Sequence, residues 1–245
     1  MKIKKILFIL FIFFLIAGCG DYFMICSLNP FYIEKNITLE DEIEGSWIAK
    51  VIPAVDIPEN DNHIAATWGK LDTLCEWKIK RFAAIINYRA KNGSDSIGYN
   101  MPENYYRVEM VQTVADTAIY KFILVLFKIN NVLYGDFIPE ANTIFQNSLF
   151  ASSNFFRVHT LARITVKNGG LDISFLGDDT MKQMISERRV RIKFKWVEET
   201  SRLLLTASSA ELTAMIERYG TEKRFIDWDT QSTMLKLTPS KTVQP

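Results

Sequence analysis

Apolar and polar residues alternate with a period of two along much of this chain, and that period predicts strands. Cys75, Trp77 and Ile79 alternate with Glu76, Lys78 and Lys80; Tyr106, Val108 and Met110 alternate with Arg107 and Glu109. Val158, Thr160, Ala162, Ile164 and Val166 form a third such run, answered by Leu171, Ile173 and Phe175 after Asn168-Gly169-Gly170. Val190, Ile192, Phe194 and Trp196 alternate with Arg191, Lys193 and Lys195, and Arg202 to Thr206 pairs with that run through a turn at 198–201. Ile119 to Ile129 is apolar on both faces, the pattern of a strand covered on both sides. Asn130-Asn131 is a two-residue hairpin turn, because Asn tolerates positive φ, and Val132 to Ile138 returns from it.

Two segments carry a helical period instead. Asp179 to Arg188 sets Met181, Met184 and Ile185 on one side, with N-cap chemistry read at Gly177-Asp178-Asp179-Thr180. Ser208-Ser209-Ala210-Glu211 is a capping box ahead of Leu212, Met215, Ile216 and Tyr219, and Gly220 stands where a left-handed C-cap is expected. Thr38-Leu39-Glu40-Asp41 is a weak helix start, Trp47 to Ile52 a first strand, and Thr233 to Leu237 a last one. Short turns joining eight to ten strands predict a mainly β fold, an antiparallel meander closed into a barrel or folded as a sandwich, with two short helices.

The N-terminus breaks the pattern. Met1-Lys2-Ile3-Lys4-Lys5 precedes an apolar run from Ile6 to Ala17, too short for the roughly 20 residues of a spanning helix. Leu15-Ile16-Ala17-Gly18-Cys19 closes that run and resembles the bacterial lipoprotein signal. The resemblance implies a signal peptide over 1–18, diacylglyceryl transfer to the Cys19 thiol, cleavage before it, and fatty acylation (typically palmitate) of the new amino group. Chains of that kind hold a protein at a membrane. Asp at the position after the cysteine retains enterobacterial lipoproteins in the inner membrane. Here Gly20 stands there and the aspartate is Asp21, which favours an outer-membrane location by that analogy. The expected organisation is then a lipidated Cys19 with a membrane-proximal tether over 19–38 and one β-rich domain over 39–240.

Gly45-Ser46-Trp47, after a helical turn and opening the first strand, resembles the lipocalin entry motif, and this implies an eight-stranded barrel with the Trp at its closed end. A wider set also resembles a group of bacterial lipoproteins. It comprises Cys26-Ser27-Leu28-Asn29-Pro30-Phe31-Tyr32, Gly45-Ser46-Trp47, His159, Leu204-Leu205-Thr206-Ala207, Glu211-Leu212, Tyr219 and Phe225. That resemblance implies an envelope location and a single domain, and brings no activity with it.

Composition narrows the function. The 245 residues carry a net charge of +1, and without the three signal lysines −2, so nothing favours nucleic acid. With Cys19 lipidated, Cys26 and Cys75 are either a disulfide pair or two free thiols in an oxidising compartment. A bridge would close a loop of about 50 residues, worth about 4 kcal/mol. Only two histidines occur. His63 lies in the polar stretch Glu59-Asn60-Asp61-Asn62-His63, which reads as a solvated loop rather than a cation site, and His159 reads as a satisfied surface or rim histidine rather than a catalytic base. There is no Gly-x-Ser-x-Gly, no phosphate-binding glycine loop and no calcium loop. The sequence therefore assigns no catalytic residue, metal ligand or cofactor, and predicts a non-enzymatic protein. Two roles stay open. One is binding of a small apolar or amphipathic ligand, with Trp47, Trp77, Phe175 and Trp196 as candidate lining residues. The other is a structural or interaction role, with a filled barrel docking onto an envelope protein.

Overall fold

The computed structural model describes residues 24–52, 75–83, 104–114, 116–140, 157–198, 202–223, 226–228 and 232–240. Its strands are β1 (Cys26–Ser27), β2 (Gly45–Ile52), β3 (Cys75–Ala83), β4 (Asn104–Val114), β5 (Asp116–Ile129), β6 (Val132–Pro139), β7 (His159–Lys167), β8 (Gly170–Leu176), β9 (Phe194–Val197), β10 (Arg202–Leu205) and β11 (Ser232–Pro239). There are two helices, α1 (Asp178–Ser186) and α2 (Ser209–Tyr219), and two 3-10 turns ahead of β2, Glu34–Asn36 and Asp41–Ile43, among the described residues. Strands β2 to β8 follow one another as an antiparallel meander, and β11 closes the ring between β8 and β2. The result is an eight-stranded antiparallel barrel of lipocalin-like strand order, the barrel rather than the sandwich of the two forms that the alternation leaves open. Both predicted hairpin turns form. Asn130 and Asn131 take φ of 51° and 62°, and Asn168 and Gly169 take 50° and 75°.

The chain between β8 and β11 detours through α1, β9, β10 and α2. This detour and residues 24–38 cover the outer face of β4 to β7. Leu124 and Leu126 accordingly point into the barrel while Val125, Phe127 and Ile129 point into an outer core, which is why β5 reads as apolar on both faces. Residues 24–38 are therefore part of the folded body and not a tether: Ile25, Phe31 and Tyr32 are buried in that outer core. Strand β1 takes up the edge of β7 that β8 leaves, since Phe175 of β8 pairs with Ala162 and Cys26 of β1 with Thr160. Strand β10 then pairs parallel to β1, and β9 antiparallel to β10 at the rim of the sheet.

Several local readings change. The capping box of α2 forms, with Ser208 accepting from the Glu211 amide. Gly220, however, is right-handed, with φ −66°. Its need for glycine is spatial: a Cβ would lie 2.6 Å from the Ile216 carbonyl oxygen and 2.7 Å from the Tyr134 hydroxyl. Helix α1 has no side-chain cap, because Asp178 is drawn inward, where Oδ2 accepts from the Leu203 amide at 3.2 Å and pairs with Lys182 at 3.0 Å. Thr38 caps nothing, and the helix start there is only the 3-10 turn Asp41–Ile43. The amphipathic run from Val190 to Trp196 shortens to a strand at Phe194–Val197, because Val190 folds back onto the end of α1, its amide donating to Met184.

Candidate functional site

Three places carry the residues that the sequence singles out. The first is the barrel interior. Gly45 opens β2 with φ 151°, a conformation that favours glycine, and Trp47 follows with its indole Nε1 donating to the Ile43 carbonyl at 3.1 Å. The 3-10 turn thus seats the Trp at one end of the barrel. Trp47, Trp77 and Phe175 are at most 6% exposed and belong to one cluster with Tyr106, Phe137 and Leu235. Phe137 bridges them, its ring centroid 6.2 Å from Trp77 and 5.2 Å from Phe175. Space is tight at mid-barrel. A Cβ on Gly135 would come within 2.8 Å of both Ile164 and Leu124. These side chains fill the described interior rather than line an opening. Trp196 is not among them: it stands on β9, outside the barrel and 53% exposed.

The second place is a buried acid–histidine pair in the outer core. Asp136 interrupts the apolar strand β6 between Tyr134 and Ile138 and is 0% exposed. His159 Nδ1 lies 2.8 Å from its Oδ2, which also accepts from the Phe31 amide at 3.2 Å. Burial pushes the Asp136 carboxyl above its ordinary range, against the pull of His159 and of the Phe31 and Thr160 amides. Burial, then the nearby Asp136 charge, raises Tyr32. Ser27 faces His159 across the β1–β7 register, so a serine, a histidine and an acid come together. They do not form a nucleophilic triad. The Ser27 hydroxyl donates to the Leu205 carbonyl at 3.4 Å, accepts from the Asn29 amide at 3.1 Å, and is wholly buried. The cluster pins residues 27–31 to the barrel. Sequence reading reached His159 but not Asp136, whose signal was a lone acid inside an otherwise apolar strand.

The third place is the β9 edge. A groove of about 430 Å³ is lined by Ile185, Arg188, Val190, Arg191, Ile192 and Phe194. Trp196 stands beside it, edge-on to Phe194 at 6.0 Å and under the Lys182 ammonium at 5.8 Å.

Of the two states the sequence leaves open for Cys26 and Cys75, the structure has two free thiols and no bridge. Cys75 lies on β3, four strands from β7 in either direction around the barrel, and Cys26 pairs beside β7. The two are on opposite sides of the ring, beyond the roughly 7 Å between Cα atoms that a disulfide allows. Burial raises both thiols, which makes them poor nucleophiles. Among the described residues, no three His, Cys, Asp or Glu side chains converge as a metal site. No helix among them is long and apolar enough to cross a membrane. Cys19 and the stretch Glu59 to His63 lie outside the described residues. Compared with protein-family models, curated proteins and solved structures, the chain matches none.

Proposed function

We propose that this is a non-enzymatic lipoprotein of the bacterial cell envelope, anchored through acyl chains on Cys19, whose filled barrel is a scaffold that presents its outer surface to another envelope component. The observation that carries this reading is the packing of Trp47, Trp77, Phe137 and Phe175 through the described barrel interior, which leaves a small apolar ligand no place among them. Ser27, His159 and Asp136 are spent on holding chain segments together, which supports a role without covalent chemistry. The signal-like N-terminus supports the anchor, with Gly20 favouring the outer membrane. Native mass spectrometry on protein purified from its own membranes tests the reading. The expected spectrum shows acyl mass on Cys19 and no noncovalent mass. An added apolar mass that is lost on denaturation would instead make the barrel a carrier.

A further inference from the structure

We infer that the β9 edge of the domain lies on an anionic phospholipid surface, with Trp196 at the interface and Arg188 and Arg191 meeting lipid phosphates around the apolar groove. The inference rests on the anchored reading of Cys19, because the anchor brings the domain to a bilayer.

Covalent geometry supplies the first argument. Cys26 pairs with Leu204, and Leu204 pairs with Lys195, so these three residues form one row across β1, β10 and β9. Two strand spacings make that row about 10 Å wide. Cys26 follows Cys19 by seven positions, a stretch that reaches at most about 25 Å when fully extended. Acyl chains on Cys19 therefore leave the β9 edge within reach of the headgroups, no more than about 35 Å of chain and sheet away.

The chemistry of the edge supplies the second. Among the described residues, Trp196 is the most exposed large apolar side chain at 53%, and it sits on a rim strand that pairs on one side only. An amphipathic ring of this kind suits a membrane interface. Ile185, Val190, Ile192 and Phe194 give the groove an apolar floor, and Arg188 and Arg191 give it a cationic lip. Neither arginine has a carboxylate partner among the described residues; nor does Lys195 on the same edge. Lys193, by contrast, is paired with Glu211, and Lys182 with Asp178 and Asp179. Glu198, which has no ion-pair partner among the described residues, stands at the opposite end of β9 from the groove. Arg188 also holds a left-handed backbone, φ 58°, just past α1, where glycine would be favoured. The chain thus keeps a guanidinium at a position where it weakens the fold.

The test reconstitutes the acylated protein, as purified from its own membranes, into vesicles of phosphatidylcholine, with or without phosphatidylglycerol, that carry brominated acyl chains. Tryptophan quenching is read for wild type, Trp196→Phe and the double variant Arg188→Gly/Arg191→Gln. Wild type should be quenched more with phosphatidylglycerol present. Trp196→Phe should lose most of that quenching, and the double variant should fall to the phosphatidylcholine level. Arg188→Gly alone should raise the melting temperature while lowering quenching, which separates membrane contact from folding. Vesicle-bound, acylated protein without Trp196-dependent quenching would overturn the docking and leave the anchor standing. If mass spectrometry finds Cys19 unacylated, the anchor fails on its own. The same vesicles then decide the surface: lipid-dependent quenching of Trp196 supports it, and none overturns it.

Discussion

The barrel interior and the outer layer are both apolar, yet they are secured by different means. Inside the ring, residues such as Trp77, Leu124, Phe137 and Ile173 are placed by an unbroken antiparallel ladder. A one-residue slip would turn every inward side chain outward, so the register alone specifies the interior. In the outer layer, short segments that share little ladder with the barrel lie across β4 to β7. There a few buried polar contacts fix the alignment. Asp136 takes the Phe31 amide, Asp178 takes the Leu203 amide, and Thr213 donates to the Phe31 carbonyl. The Asn29 side chain donates to the Ala207 carbonyl, and Trp228 donates to that of Gly220. Apolar packing is non-directional, so it holds these segments down without choosing their register. Buried hydrogen bonds choose it, because leaving one unmade costs the desolvation of the group.

The largest expected break is in the interior. Trp77→Ala should cost about 3–5 kcal/mol in denaturant unfolding, because the closed ladder cannot collapse onto the cavity. Asp136→Ala should cost less, about 2–3 kcal/mol, by stranding the Phe31 amide and His159 in the outer core. It should also detach residues 24–38 while the barrel stays folded, which limited proteolysis would detect. The same carboxyl sets a pH dependence. Burial raises its folded pKa above the ordinary 3.8, so between those two values the folded state holds a proton that the unfolded state has released. Wild type should therefore gain stability relative to Asp136→Asn as pH falls through the raised folded value, and lose that gain as pH rises back through it. Denaturant titrations at several pH values check the sign. The smallest effect is favourable. The Tyr134 hydroxyl is buried without a hydrogen-bond partner among the described residues, and burial pushes its pKa to about 12. Tyr134→Phe should raise stability by about 1 kcal/mol.

This division explains what could be read from the chain. Strand alternation is a local property, so the barrel strands, the Asn130-Asn131 turn and the two-faced β5 were legible. The Ser208–Glu211 capping box was legible for the same reason. The outer layer depends on distant contacts that no period records. Trp196 follows the same alternation as Phe194, but the strand there is a short rim, and its alternation gave no sign that the ring would lie half in solvent. Cys26 and Cys75 invited pairing by number, whereas the strand order sets them on opposite sides of the ring. His159 was visible as a lone histidine, and its partner was not, because the β6–β7 pairing that brings Asp136 to it is long-range. Residues 24–38 looked like a tether because too few of them show any period; Ile25, Phe31 and Tyr32 are buried one by one.

Native-state hydrogen exchange compares the two regions within one molecule. The account predicts that the amides of Leu124 and Leu126 in β5 exchange only through global unfolding, while those of Phe31 and Leu203 exchange through a smaller opening. It further predicts that Asp136→Asn lowers protection at Phe31 and leaves Leu124 and Leu126 close to the global value of the variant. A single opening free energy shared by all four amides, falling together in Asp136→Asn, would contradict a barrel and an outer layer that are secured separately.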